Sequence, residues 1–282
     1  MTRDGRCDEL TPRTDFSEMD LFDALILGIV QGIGEFLPIS SSGHLVVVGE
    51  LLGIKQSPDA NLLFNIVVHL GTLLAILIVY RPEIWKLRQQ PKVCLNIVLA
   101  SIPAGVIGIL FKHQFEEAFS TPLVVGVCWF GTAAMLFVGQ RLERNEIAYA
   151  DLSPQKAFII GLFQMVALLP GISRSGSTIS GGLLCGMQRG SAGAFSFLMA
   201  IPVIGGAALL EFIDVARGKV PLGDPLPLVV GAITSFVVGL VVLKWLVRLL
   251  SKGCLHWFAY YCVAAGTLTV VWQLFAAVKT AI

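Results

Sequence analysis

Six stretches of this chain, approximately 62–80, 93–111, 121–140, 194–213, 226–248 and 256–278, are apolar over nearly all their length. Each reaches the roughly 20 residues that a helix needs to cross the hydrocarbon core of a bilayer. Lipid cannot hydrogen-bond a peptide group, so such stretches are predicted as helices, which satisfy their own backbone. Composition agrees: with 55% hydrophobic residues, 14% charged residues and a mean hydropathy of +0.80, the chain lacks the polar surface to cover a water-soluble globule of 282 residues. The expected fold class is an all-α polytopic membrane protein. A net charge of +1 argues against a nucleic-acid partner.

Two further apolar segments, roughly 21–54 and 155–187, are interrupted midway by clusters rich in Pro, Ser and Gly, Pro38 to His44 and Pro170 to Thr178. The half preceding each break is too short to span, so each segment is predicted as a re-entrant helical hairpin whose tip lies in protein or in a wet cavity. The segments also resemble each other. Gly28 and Gln31 recur as Gly161 and Gln164, 133 positions on, and Ser40 and Gly43 recur as Ser173 and Gly176. A weaker echo relates Ala100–Leu110 to Gly231–Val241, 131 positions on. The chain therefore reads as a single membrane domain over 19–282, built from two copies (about 19–145 and 151–282) of a hairpin plus three spans. An odd number of spans per copy inverts the second copy, which brings both tips to the midplane.

Residues 1–18 are polar and of mixed charge, which suggests a disordered leader rather than a cleaved signal. The six cysteines form no CxxC pair and read as small apolar residues. Basic residues cluster at Arg81, Lys86, Arg88 and Lys92 and at Lys244, Arg248 and Lys252, so these connections are expected on the cytoplasmic side. Both termini, and the entry of the first hairpin, then face outward.

An ionisable group costs about 2.5–3.5 kcal/mol at the bilayer centre on insertion scales, which makes the polar residues of the tips candidates for function. Gln31 and Glu35 are four apart on one helical face. Ser40 and Ser173 follow the breaks as N-caps. Ser41 and His44 share a face if their turn is helical, as do Arg174 and Thr178. Inverted symmetry sets Arg174 against Ser41, so a hydroxyl, an imidazole, a carboxylate and a guanidinium are expected to converge. That set suits phosphoryl transfer, where a protein mostly positions groups and neutralises charge. Ser41 is the candidate nucleophile, His44 the candidate base or proton donor, and Arg174 the bidentate phosphate ligand. Glu35, with Gln31, is the candidate ligand of Mg²⁺ or Ca²⁺. Gln31, Ser40, Ser173, Ser175 and Thr178 are candidate substrate contacts.

Plainer readings compete with these. Glu35 and Arg174 also suit a buried ion pair tying the copies together. Ser175, Ser177, Ser180 and Gly181 suit close helix packing. His69 reads as an interhelical hydrogen-bond partner, and His113 and His256 as interfacial.

The run Gln31-Gly32-Ile33-Gly34-Glu35-Phe36-Leu37-Pro38-Ile39-Ser40-Ser41-Ser42-Gly43-His44, with Pro170-Gly171-Ile172-Ser173-Arg174-Ser175-Gly176-Ser177-Thr178, resembles the two motifs of the undecaprenyl-pyrophosphate phosphatase family, the bacitracin-resistance proteins of bacterial membranes. The resemblance covers the chain from about residue 19 onward. It implies re-entrant hairpins in inverted repeats, and hydrolysis of undecaprenyl pyrophosphate to the monophosphate at the outer face of the plasma membrane, which recycles the carrier for peptidoglycan synthesis. It also implies roles for Glu35, Ser41, His44 and Arg174 in that reaction. A homodimer is a further, separate expectation. Many members carry Glu where this chain has Gln31, so an implied cation would rest on Glu35 and the substrate itself.

A transporter of lipid phosphates could share such broken helices, but it would not need a nucleophile beside a base. Lipid phosphatases of the phosphatidic-acid type also carry Ser-Gly-His, here Ser42-Gly43-His44. They are disfavoured because Leu74 stands where their lysine precedes Arg81-Pro82, and because no histidine follows Ser173-Arg174 before His256.

Overall fold

The computed structural model describes residues 19–54, 58–111, 114–115, 121–218 and 224–281. The leader and His113 lie outside these. The described chain is helical, and its one β-bridge pairs Ile147 with Met187. In chain order the helices are α1 (Leu21–Gly34), α2 (Ser41–Leu52), α3 (Pro58–Val79), α4 (Arg81–Lys86), α5 (Pro91–Leu110), α6 (Pro122–Arg141), α7 (Pro154–Val166), α8 (Arg174–Leu184), α9 (Arg189–Ala216), α10 (Pro225–Leu250) and α11 (Leu255–Ala281). Proline opens α3, α5, α6, α7 and α10, where its missing N–H costs nothing and its fixed φ already suits the helix.

Five helices (α5, α6, α9, α10 and α11) are each long and apolar enough to cross a membrane. A sixth span is counted if Leu63–Val79 and Arg81–Gln89, which meet at 69°, form one broken span. This is a multi-pass membrane protein, and the six apolar windows fall on α3, α5, α6, α9, α10 and α11. Large apolar side chains cover the outer faces of these helices: Leu268 is 71% and Phe275 73% exposed. Water would penalise such a surface, whereas lipid solvates it.

Both interrupted segments are pairs of short helices. The breaks fall a few residues earlier than their Pro-Ser-Gly clusters suggest, at Glu35–Ser40 and Ala167–Ser173. The reason is capping. Ser40 Oγ accepts the Gly43 N–H (3.2 Å) and Ser173 Oγ accepts the Gly176 N–H (3.1 Å), so helix resumes at once and takes in Ser41, His44, Arg174 and Thr178.

The hairpins are held by reciprocal packing. Helix α1 lies along α10, and α7 lies along α5. At the first contact a Cβ on Gly28 would come 2.9 Å from the Gly231 carbonyl oxygen; at the second, a Cβ on Gly161 would come 2.5 Å from that of Ala100. Only glycine lets the backbones approach so closely. In the core, Phe36, Leu37 and Ile39 of the first tip pack with Trp129, Ile179, Phe195 and Phe197.

Candidate active site

The two tips are cross-tied by hydrogen bonds that position the side chains between them. Ser175 Oγ donates to the Leu37 carbonyl (3.3 Å), and Trp129 Nε1–H of α6 donates to that of Ile39 (2.7 Å). Thr132, also on α6, donates to the Gly171 carbonyl (2.8 Å) and accepts the Ser173 N–H (2.9 Å). One helix thus anchors both breaks.

At the junction sits Glu35, 6% exposed. Its Oε1 takes Arg174 Nη2 at 2.6 Å across the two hairpins. Its Oε2 accepts Ser41 Oγ–H (2.9 Å) and Gln31 Nε2–H (3.0 Å), and lies 3.3 Å from His69 Nε2 of α3. The guanidinium also donates from Nη1 to the Ser196 carbonyl of α9 (3.2 Å), and its carbon lies 5.9 Å from the centre of the Phe197 ring. Arg174 is the first residue of α8, where the helix dipole disfavours a cation. Glu35 offsets that cost, and Arg174 in turn offsets the burial of the carboxylate.

The expected convergence therefore occurs with a different imidazole. Ser41, Glu35 and Arg174 meet, but His44 turns away: one ring nitrogen, Nδ1, is 2.7 Å from the Ser40 carbonyl and the other, Nε2, is 2.7 Å from the Tyr261 hydroxyl of α11. A carbonyl only accepts, so Nδ1 carries a hydrogen, and in the neutral ring Nε2 accepts from the Tyr261 hydroxyl. Stacking on Tyr261 and an edge contact with Trp129 fix the ring there. Ser41 and His44 are neighbours on the first turn of α2, yet they address opposite sides of it.

The other predicted substrate contacts are engaged inside the protein. Ser40 and Ser173 cap. Ser175 bridges to Leu37, and Thr178 Oγ1 bonds the Arg174 carbonyl (2.8 Å) and Ser196 Oγ (2.6 Å). All four are 2% exposed or less. Gln31 is fully buried, and its Oε1 has no hydrogen-bond partner.

The chain matches the model of a known family, the bacitracin resistance protein BacA, over residues 24–268. It belongs to that family. Similar curated proteins include the undecaprenyl-diphosphatase of Rhodopirellula baltica, 44% identical over 90% of this chain and 99% of its own. The undecaprenyl-diphosphatase of Parabacteroides distasonis is 42% identical over 91% and 99%, and that of Carboxydothermus hydrogenoformans 39% identical over 90% and 98%.

For the divalent cation expected on Glu35 and Gln31, the donor set is thin. Gln31 Oε1 is a free buried acceptor, but both oxygens of Glu35 already face donors. Among the described residues, no group of three His, Cys, Asp or Glu could hold a metal ion. These residues do not by themselves enclose a cation.

Tyr261 is the part of this site that the sequence did not indicate, whereas His69, expected as an interhelical hydrogen-bond partner, meets Glu35 in that way. His69 was legible as a polar residue inside an apolar window, which is costly without a partner. Tyr261 had no local signal, because its partner lies 217 residues away. His256, at the start of α11, bonds Gln140 of α6 and stands apart from the site.

Proposed function

We propose that this chain hydrolyses undecaprenyl pyrophosphate to undecaprenyl phosphate and inorganic phosphate, returning the lipid carrier to cell-wall synthesis and so conferring bacitracin resistance. The observation that carries the reading is the meeting of a serine hydroxyl and an arginine on one buried carboxylate, where the hairpins touch. Ser41 Oγ attacks the terminal phosphorus while its proton passes to Glu35 Oε2. The bond from that phosphorus to the bridging oxygen breaks, and undecaprenyl phosphate leaves. Water then attacks the phosphoserine, its hydroxyl going to phosphorus and one proton to Ser41 Oγ; phosphate leaves, and Glu35 gives up to solvent the proton that it took. Arg174 exchanges its contact with Glu35 for the phosphate oxygens and neutralises their charge. His44 positions the first turn of α2 through Ser40 and Tyr261, rather than touching Ser41. Gln31 holds Glu35, while Ser40, Ser173, Ser175 and Thr178 shape the tips. Mg²⁺ or Ca²⁺, where turnover needs it, arrives bound to the pyrophosphate as part of the substrate.

In this reading the two copies are inverted repeats in the bacterial plasma membrane, with the site open to its outer face. Reciprocal packing supports the repeat: Gly28 of copy one meets Gly231 of copy two, while their equivalents Gly161 and Ala100 meet the other way round. The basic clusters around α4 and at the end of α10 support the orientation.

The test is phosphate release from undecaprenyl pyrophosphate by purified protein in detergent, with and without chelator. Wild type releases phosphate, Ser41→Ala does not, and His44→Ala is impaired but active. Release retained by Ser41→Ala and lost in His44→Ala would move the attack to the imidazole. Folded wild type that binds the lipid yet releases nothing with either cation would leave a carrier of lipid phosphates instead.

A further inference from the structure

Arg174 presents a difficulty for the reading just given. In the structure its Nη2 donates to Glu35 Oε1 and its Nη1 to the Ser196 carbonyl, which leaves three of its five N–H groups for a phosphate, and a bound phosphate competes with Glu35 for the guanidinium. If it leaves Glu35, a carboxylate only 6% exposed loses its closest positive partner. Leaving a buried charge unpaired is strongly unfavourable, so another group must hold Glu35 while Arg174 moves.

His69 is placed to do this. Its Nδ1 lies 2.6 Å from the Asn65 carbonyl, one turn earlier on α3, so Nδ1 carries a hydrogen. Nε2 lies 3.3 Å from Glu35 Oε2 and is placed to donate to it when it carries a hydrogen. Both ends of the ring are thus fixed, one to its own helix and one to Glu35. Its side chain is 27% exposed, against 6% for Glu35. Arg174 occupies Oε1 and His69 occupies Oε2, so the departure of one leaves the other contact intact.

We propose that His69 is a positioning residue for the phosphatase reaction: its Nε2–H keeps Glu35 Oε2 partnered and aimed at Ser41 while Arg174 turns to the phosphate. The proposal rests on the function proposed above. Without His69, Glu35 keeps only Ser41 and Gln31 beside Arg174 and retains the guanidinium, so pyrophosphate binds less well.

The experiment uses the full chain in detergent and reads two quantities for wild type, His69→Leu and His69→Gln. One is the affinity for inorganic pyrophosphate, from its stabilisation of the protein against heat. The other is kcat and KM for release from undecaprenyl pyrophosphate. His69→Leu is expected to melt as wild type does without ligand, to bind pyrophosphate about tenfold more weakly and to show a similar rise in KM. His69→Gln, which supplies an N–H from a side chain of similar reach, stays within about threefold of wild type. Wild-type affinity and KM in folded His69→Leu would overturn the proposal. So would a loss in folded His69→Gln as large as in His69→Leu, or unfolding of both His69→Leu and His69→Met, each of which would point to packing alone. If wild type binds pyrophosphate but releases no phosphate, the phosphatase reading fails, and the binding comparison still decides the role of His69.

Discussion

The two hairpins are alike in sequence and unlike in surroundings. In α8 every residue from Ser175 to Leu183 is buried, and the helix packs among α6, α7 and α9. In α2 only Ser41, Gly43 and Leu45 are buried, and the helix leans on α1 and α6. The second hairpin is a fixed floor that presents one guanidinium; the first is a partly open flank that carries the carboxylate, the hydroxyl and His44.

Perturbing the charge that joins the hairpins has the largest expected effect. Arg174→Ala and Glu35→Ala should each lower phosphate release by at least about 10²–10³-fold, the usual loss when a preorganised electrostatic contact is removed. Both variants should stay folded and extractable in detergent. If both unfold instead, the pair is a structural tie between the hairpins and the catalytic comparison breaks.

Next come variants that test floor against flank. Gly171 has φ +96°, and a Cβ there would come 2.5 Å from the Val125 carbonyl oxygen, so Gly171→Ala is strained in both backbone and contact. It should destabilise by about 1–3 kcal/mol, seen as a lower melting temperature. Gly49, within α2, has nothing within 4 Å of its would-be Cβ. Gly49→Ala should be stabilising by about 0.5–1 kcal/mol through helix propensity. Equal destabilisation by the two would show that α2 is as tightly held as α8.

Tyr261→Phe has a small effect. It removes the hydroxyl that holds His44 Nε2, costing about 1 kcal/mol, and should slow release a few-fold by loosening the first turn of α2. A loss as large as in Ser41→Ala would return His44 and Tyr261 to the chemistry itself.

Much of this molecule was legible in the chain. Apolar length set the spanning helices, because the bilayer fixes how many residues a helix must bury. The Pro-Ser-Gly clusters set the two breaks, because proline and a capping hydroxyl act within a turn. The partnership of Glu35 with Gln31 followed from helical spacing. Tertiary structure alone decided which imidazole meets that carboxylate. Ser41 and His44 lie three residues apart, but one faces Glu35 and the other Tyr261, since the direction a side chain takes from a helix start depends on what packs against each side. His69, from α3, completes the site. Short-range rules act within a few residues, whereas a buried charge selects its partners across the whole fold, from whichever donors packing brings within about 3 Å.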